Sequence, residues 1–191
     1  MTAPESRRLT VVACAAGPAA RIGELLTLAH RDGWQVDLIA TPAAAEFLDV
    51  AAIEEATGVQ ARTKPRHRGP SAARPTPTTS AIVVAPATFN TINKLARGIC
   101  DNYALTAVAE AIGRRVPVVV LPFVNLALAA RAPFAQSVAS LRSEGVTVIV
   151  GDEYGWTPHP PGAGNECLTA FPWALAMQHA AIAVTGRGDL G

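Results

Sequence analysis

The sequence predicts an α/β domain built on a doubly wound, mainly parallel sheet with helices on both faces. Three observations carry this expectation. Five short runs are almost wholly apolar and do not alternate with polar residues, as strands buried on both faces require. Segments with helical spacing of apolar residues, or with helix-starting signals, separate those runs. The alternation continues along the chain without internal repeats, which is the order of a parallel sheet with crossover helices.

Each element follows in turn. Residues 9–14 (Leu-Thr-Val-Val-Ala-Cys) end in the small-residue turn Ala15-Ala-Gly-Pro-Ala19 and read as a buried strand feeding a helix. Over 19–30 the apolar residues Ile22, Leu25, Leu26 and Leu28 recur at helical spacing until Asp32-Gly33 stops them. Residues 35–40 form a second strand. Thr41 then caps a short helix with Pro42 at its first position, and 51–57 continue as helix up to Gly58. Residues 62–79 break the rhythm with four prolines, five basic residues, His67 and no acid, so they read as a loop. A third strand spans 81–85, with helices over 88–98 and 103–112. A strand over 116–121, a helix over 126–143 interrupted at Pro133, and a last strand over 146–150 follow. Residues 151–166, rich in Gly and Pro, form a loop or hairpin, and 167–184 an apolar helix. Residues 1–8 and 186–191 are expected as flexible tails, and the whole span 1–191 as one domain. The fold expected is thus of the Rossmann or flavodoxin-like kind.

Composition narrows the function classes. Half of the 191 residues are hydrophobic and 16% are charged, which excludes a disordered chain. A formal net charge of +1 gives no electrostatic reason to expect nucleic acid or an anionic membrane as partner. The apolar run behind Leu9 is far shorter than the ~20 residues of a membrane helix and lacks a signal-peptide shape. Cys14, Cys100 and Cys167 are too few and too widely spaced for a disulfide framework or a zinc site, so no metal is expected and the location expected is cytoplasmic.

In doubly wound sheets ligands bind outside the carboxyl ends of the strands, where the strand order switches. Four segments lie there: Ala16-Gly17-Pro18, Thr41-Pro42, Pro86-Ala-Thr-Phe-Asn-Thr91 and Pro122-Phe-Val-Asn125. Each opens a helix, and a helix N-terminus suits a phosphate. Taken singly, Gly17, Thr41 and Thr88 also read as ordinary caps and turns. The first loop lacks a full GxGxxG, so a dinucleotide fingerprint is not supported.

Taken together, the segments are more specific. The block from Pro86 to Asn102, with its Gly98-Ile-Cys-Asp-Asn102 end, resembles the PASANT motif and downstream G-I-x-D-N of the homo-oligomeric flavin-containing cysteine decarboxylases. Pro122-Phe-Val-Asn125 looks like the PxMN motif of that family, Ala16-Gly-Pro-Ala-Ala20 stands where it has G-S-I-A-A, and Thr41-Pro-Ala-Ala-Ala-Glu-Phe47 matches its T-x-x-A-x-x-F. The resemblance implies an FMN protein, with FAD as the alternative, assembled as a homotrimer or dodecamer. It implies that Gly17, Pro18, Thr41 and Thr88 lie near the phosphate and ribityl chain, with Pro86, Ala87, Asp101 and Asn102 completing the cofactor site. Asn90 would stand near the isoalloxazine or substrate, and Asn90 and Asn125 would be the catalytic residues, with His67 a further candidate. The implied reaction is that of a lyase: the flavin oxidises a cysteine-derived thiol, and the thioaldehyde lets the carboxylate leave as CO₂. The substrate would be a peptide with a C-terminal cysteine or a small cysteine conjugate.

This chain departs from the pattern at several points. Counting back to the usual place of the family's active-site histidine lands on Ala72. The nearest candidate is His67, which an insertion would place in the site and which otherwise reads as an exposed loop histidine. His30, His159 and His179 have no motif support and read as structural or solvated. Phe89 replaces a small residue of PASANT and would pack on the flavin ring or cover a subunit contact. The Met of PxMN and the following MW are missing. Cys167 reads as a buried cysteine at a helix start, Cys14 as core, and Trp156, Phe171 and Trp173 as packing residues, Trp156 with the option of lining a pocket. The cluster Arg62, Lys64, Arg66, Arg68 and Arg74 reads equally as an anion-recognising or a solvated loop. Alternatives to a decarboxylase are a flavin-binding protein without that activity, serving a regulatory or structural role, and a prenyl-flavin-forming transferase.

Overall fold

Continuous Val, Ile, Leu and Ala runs can be satisfied only where both faces of a strand are covered. In the computed structural model, which describes residues 7–65 and 78–188, they are. The strands β1 (Arg8–Ala13), β2 (Gln35–Ala40), β3 (Ala61–Arg62), β4 (Ala81–Ala87), β5 (Val118–Pro122) and β6 (Thr147–Val148) form one sheet in the order β3-β2-β1-β4-β5-β6. All the described pairings are parallel. The chain leaves β1 towards β2 and β3, then returns to place β4 on the other side of β1. The order therefore switches between β1 and β4.

Among the described residues eight helices cover the sheet: α1 (Ile22–Arg31), α2 (Pro42–Ala45), α3 (Val50–Thr57), α4 (Phe89–Ala96), α5 (Tyr103–Gly113), α6 (Leu126–Ala129), α7 (Ala132–Ser143) and α8 (Trp173–Gly188). The period of two along each strand sorts its residues between two cores. Leu9, Val11 and Ala13 of β1, Ala81, Val83 and Ala85 of β4, and Val119 and Leu121 of β5 meet α1, α3 and α8. Val12, Ile82, Val84, Val118 and Val120 meet α4, α5 and α7. Near the end of β4 the register against β5 shifts between Val84 and Ala87, and Ala87 joins the second core.

Several expectations are corrected. Six strands form instead of five, because Ala61–Arg62 pairs with Leu38 and Ile39 at the sheet edge. Arg8 belongs to β1 and not to a tail: it pairs with Gln35, and its guanidinium holds Asp37 at 2.7 Å. The last helix starts behind Pro172, six residues later than expected, and includes Gly186 to Gly188. Gly164–Cys167 is a separate 3-10 turn, so Cys167 is half-buried and not at the start of that helix. The helix expected over 126–143 with an interruption at Pro133 is broken into α6 and α7, the break falling just ahead of Pro133, which suits the first turn of α7 and not the middle of a helix. Most of the Pro- and Arg-rich loop, including His67, lies outside the described residues. Among the described residues no helix is long and apolar enough to cross a membrane, and no group of three or more His, Cys, Asp or Glu could hold a metal ion.

Candidate functional site

At the switch point, loops from β1, β2 and β4 surround a cavity of about 430 Å³ that reaches α5. That volume lies within the ~300–1,000 Å³ usual for ligand pockets. Cys14 and Ala15 leave β1, Thr41 to Ala43 leave β2, Thr88, Asn90 and Thr91 open α4 and Lys94 stands in its last turn, while Asp101, Asn102 and Leu105 come from the start of α5.

The polar residues around the cavity act first as caps. Thr41 Oγ1 accepts from Ala44 N at 3.2 Å, Thr88 Oγ1 from Thr91 N at 3.2 Å, and Asn102 Oδ1 from Leu105 N at 3.1 Å. Each cap satisfies one first-turn donor and leaves others of that turn without an intrahelical partner. The cap reading and the ligand reading therefore coexist, because three helix starts converge on one space. Asn90 is exposed in the first turn of α4, and its amide has no hydrogen-bond partner among the described residues. Lys94 and Asp101 neutralise one another at 2.5 Å. Cys14 is fully buried; burial holds its thiol above the ordinary range, opposed by the Thr91 hydroxyl that donates to Sγ at 3.3 Å and by a bond with the Thr88 backbone. Cys14 is thus the core residue expected, and it also floors the cavity.

Of the residues singled out in the sequence, Thr41, Thr88, Asn90, Asp101 and Asn102 line this cavity. Pro86 and Ala87 stand behind its wall, where their carbonyls accept from Cys14 N at 3.1 Å and Phe123 N at 2.8 Å. Gly17 and Pro18 open the 3-10 turn Gly17–Arg21, and Pro18 is buried. A Cβ on Gly17 would lie 2.7 Å from Leu168 Cδ2 and 3.5 Å from Phe123 Cε1, so Gly17 faces the neighbouring rim instead. Phe89 lies within the fold: its ring stacks on Phe134 with centroids 6.1 Å apart, and its carbonyl accepts from Asn93, which Ser137 holds in turn. Arg62 pairs with Asp37 at 3.4 Å, away from the cavity.

Asn125 belongs to a second rim, beyond β5, where it caps α6 by accepting from Leu128 N at 2.9 Å. Here the loop after β6 returns to the sheet: His159 bridges to Asn125, and Trp156 Nε1 donates to Pro122 O at 2.8 Å. Phe123 meets His159 at 4.7 Å and Phe171 at 5.8 Å, and Phe171 meets Trp156 and Trp173. Trp156 thereby extends its packing role to a rim that sequence reasoning did not assemble. No local signal marks His159, since 34 residues separate it from Asn125 and only the tertiary fold pairs them.

The model of the family described as Flavoprotein matches residues 2–168. The fold resembles an FMN-dependent cysteine decarboxylase, TvaF, from thioviridamide biosynthesis, with a TM-score of 0.67 and 24% identity over 92% of this chain and 98% of that one. It also resembles the FMN-binding protein AtHal3, with a TM-score of 0.65 and 21% identity over 87% of this chain and 96% of that one. At these identities the likeness concerns the fold. A dihydromethanopterin reductase (acceptor) of Methanosarcina mazei is 50% identical over 42 residues, which are 22% of this chain and only 18% of that relative's length.

Proposed function

The chain belongs to the Flavoprotein family, and from that premise we propose that its cavity binds FMN and that the protein decarboxylates a cysteine-containing peptide or small conjugate. The observation that carries this reading is the convergence of Thr41, Thr88, Asn90, Asp101 and Asn102 on one cavity at the β1/β4 switch. The donor set suits the group: first-turn N–H groups and the Thr88 hydroxyl for a phosphate, and the Asn90 amide, which donates and accepts, for a heterocycle edge. The Lys94–Asp101 pair ties the last turn of α4 to the segment before α5, and Asn102 caps α5 beside it. When bound, the flavin supplies the two-electron oxidation of the thiol-bearing carbon that makes loss of CO₂ possible. The chain's own part is to orient that carbon, with the Cys14 thiol kept neutral on the floor.

A second reading is a flavin binder without turnover. It is favoured by one observation: no histidine lines the cavity among the described residues. We further propose assembly as a homotrimer or a multiple of one, which light scattering at micromolar concentration tests. The deciding experiment is to purify the protein, release and identify any chromophore, and incubate the FMN-loaded chain with cysteine-terminated peptides and 4′-phosphopantothenoylcysteine while following CO₂ loss by mass spectrometry. Bound FMN with CO₂ loss is expected. Bound FMN without it selects the second reading, and a colourless protein that takes up neither FMN nor FAD ends both.

A further inference from the structure

We propose that His159 is the proton acceptor of this protein, its Nε2 taking the proton of a ligand thiol presented at the β5 rim. The inference rests on the reading above that the ligand carries a cysteine-derived thiol. His159 is drawn to that rim by the backbone: His159 N donates to Val124 O at 3.2 Å and Leu126 N donates to His159 O at 2.8 Å, on either side of Asn125. The imidazole is fixed by packing, with its ring 4.7 Å from Phe123 and inclined at 37°.

Its tautomer is fixed as well. Nδ1 lies 2.9 Å from Pro160 O, and a carbonyl oxygen only accepts, so Nδ1 carries the proton and neutral His159 presents Nε2 as a lone pair. Gly164 packs beside the ring edge, where a Cβ would stand in ordinary contact, 3.7 Å from Nε2 and 3.4 Å from Cε1. The rim also adjoins the cavity. Phe123, on which His159 rests, faces Gly17, two residues beyond the Ala15 that lines the cavity. The turn at 15–17 thus lies between the cavity and the Phe123–His159 pair. His30 is exposed at the end of α1 and His179 packs on Tyr154, so neither competes for this place.

The step is a proton transfer. The S–H bond of the ligand breaks, its electron pair stays on sulfur, and an N–H bond forms at Nε2, giving thiolate and imidazolium with the Nδ1–H bond to Pro160 O retained. Such a group contributes roughly 10²- to 10⁴-fold to a rate. His159→Ala and His159→Gln are compared with the parent in the FMN-loaded full chain, with His30→Ala as control. FMN affinity, CO₂ release from a cysteine-terminated peptide, ultraviolet thiolate absorbance of the bound peptide, and rescue by added imidazole are measured. Both His159 variants should keep their FMN, lose the thiolate signal and turn over at least ~10²-fold more slowly, with imidazole restoring the Ala variant only. Ala-variant turnover near the parent's overturns the proposal, as does a loss of turnover that keeps the thiolate signal and resists imidazole. A parent that turns over beside unaffected variants ends this inference alone. A parent that binds FMN but neither forms thiolate nor releases CO₂ ends the decarboxylase reading, and this inference with it.

Discussion

The two rims at the carboxyl end of the sheet are built by opposite means. The cavity beside β1, β2 and β4 is made of short local devices: a strand end, a capping residue and a first helical turn, each contained within about ten residues. The rim beyond β5 is made of residues far apart in sequence, with Phe123, Trp156, His159 and Phe171 packed ring against ring. They also feed different cores, since Cys14, Ile92 and Leu105 belong to the α4/α5/α7 side, whereas Phe123, Phe171 and Trp173 belong to or pack against the α1/α3/α8 side. A locally written site tolerates loss of one element and shows it in ligand affinity. A rim assembled by long-range packing shows loss in stability first.

The largest effect should come from breaking the aromatic rim. Phe171 is buried at 3% exposure and touches Phe123, Trp156 and Trp173. Phe171→Ala should cost about 3–5 kcal/mol in chemical denaturation. An affinity for FMN in the surviving folded fraction close to the parent's would confirm that the two rims are energetically separate. Next comes Asn90→Ala, which should leave the melting temperature nearly unchanged and weaken FMN binding about tenfold in a fluorescence titration, the equivalent of one lost hydrogen bond. The matching His67→Ala change should leave FMN bound. If Asn90→Ala keeps full affinity while His67→Ala loses it, the cavity is not where the cofactor's ring is held.

Smaller effects sharpen the same contrast. Thr88→Val removes the hydroxyl that accepts from Thr91 N and should destabilise the fold by about 1 kcal/mol, with Thr88→Ser restoring it. A thermal melt with and without FMN measures both changes. The smallest effect is expected at the contact between the rims. In Gly17→Ala the new methyl meets Leu168 Cδ2 at 2.7 Å, the far end of a flexible side chain that can turn aside, so the cost should stay below ~1 kcal/mol. A loss several times larger would show that the turn at Gly17 cannot yield and that the rims move as one body.

How much of this was legible beforehand varies along the chain. The run Gln-Val-Asp-Leu-Ile-Ala was predicted to its ends as β2, because apolar β-formers bounded by Gly33 and Thr41-Pro42 leave little choice. The family resemblance implies Thr41, Thr88 and Asn102 as site residues, and each caps a helix at the cavity. Strand β3 was missed because two residues carry no period, and Ala61–Arg62 is a strand only through its pairing with Leu38 and Ile39. Phe89 was placed against a ligand or a subunit contact, whereas Phe134, 45 residues on, takes its ring.

Residue type and near neighbours are enough to set the alternation of buried strands and helices and the caps that open α2, α4 and α5. These depend on residue type and on neighbours within a turn or two, and local sterics and hydrogen bonding act wherever the chain goes. Only the folded chain brings these three caps to one cavity, adds β3 as the edge strand beside β2, and sets His159 beside Asn125. Those juxtapositions depend on strand order and on the burial of rings from distant segments. Their free energy is realised only once the sheet has brought both partners out of water.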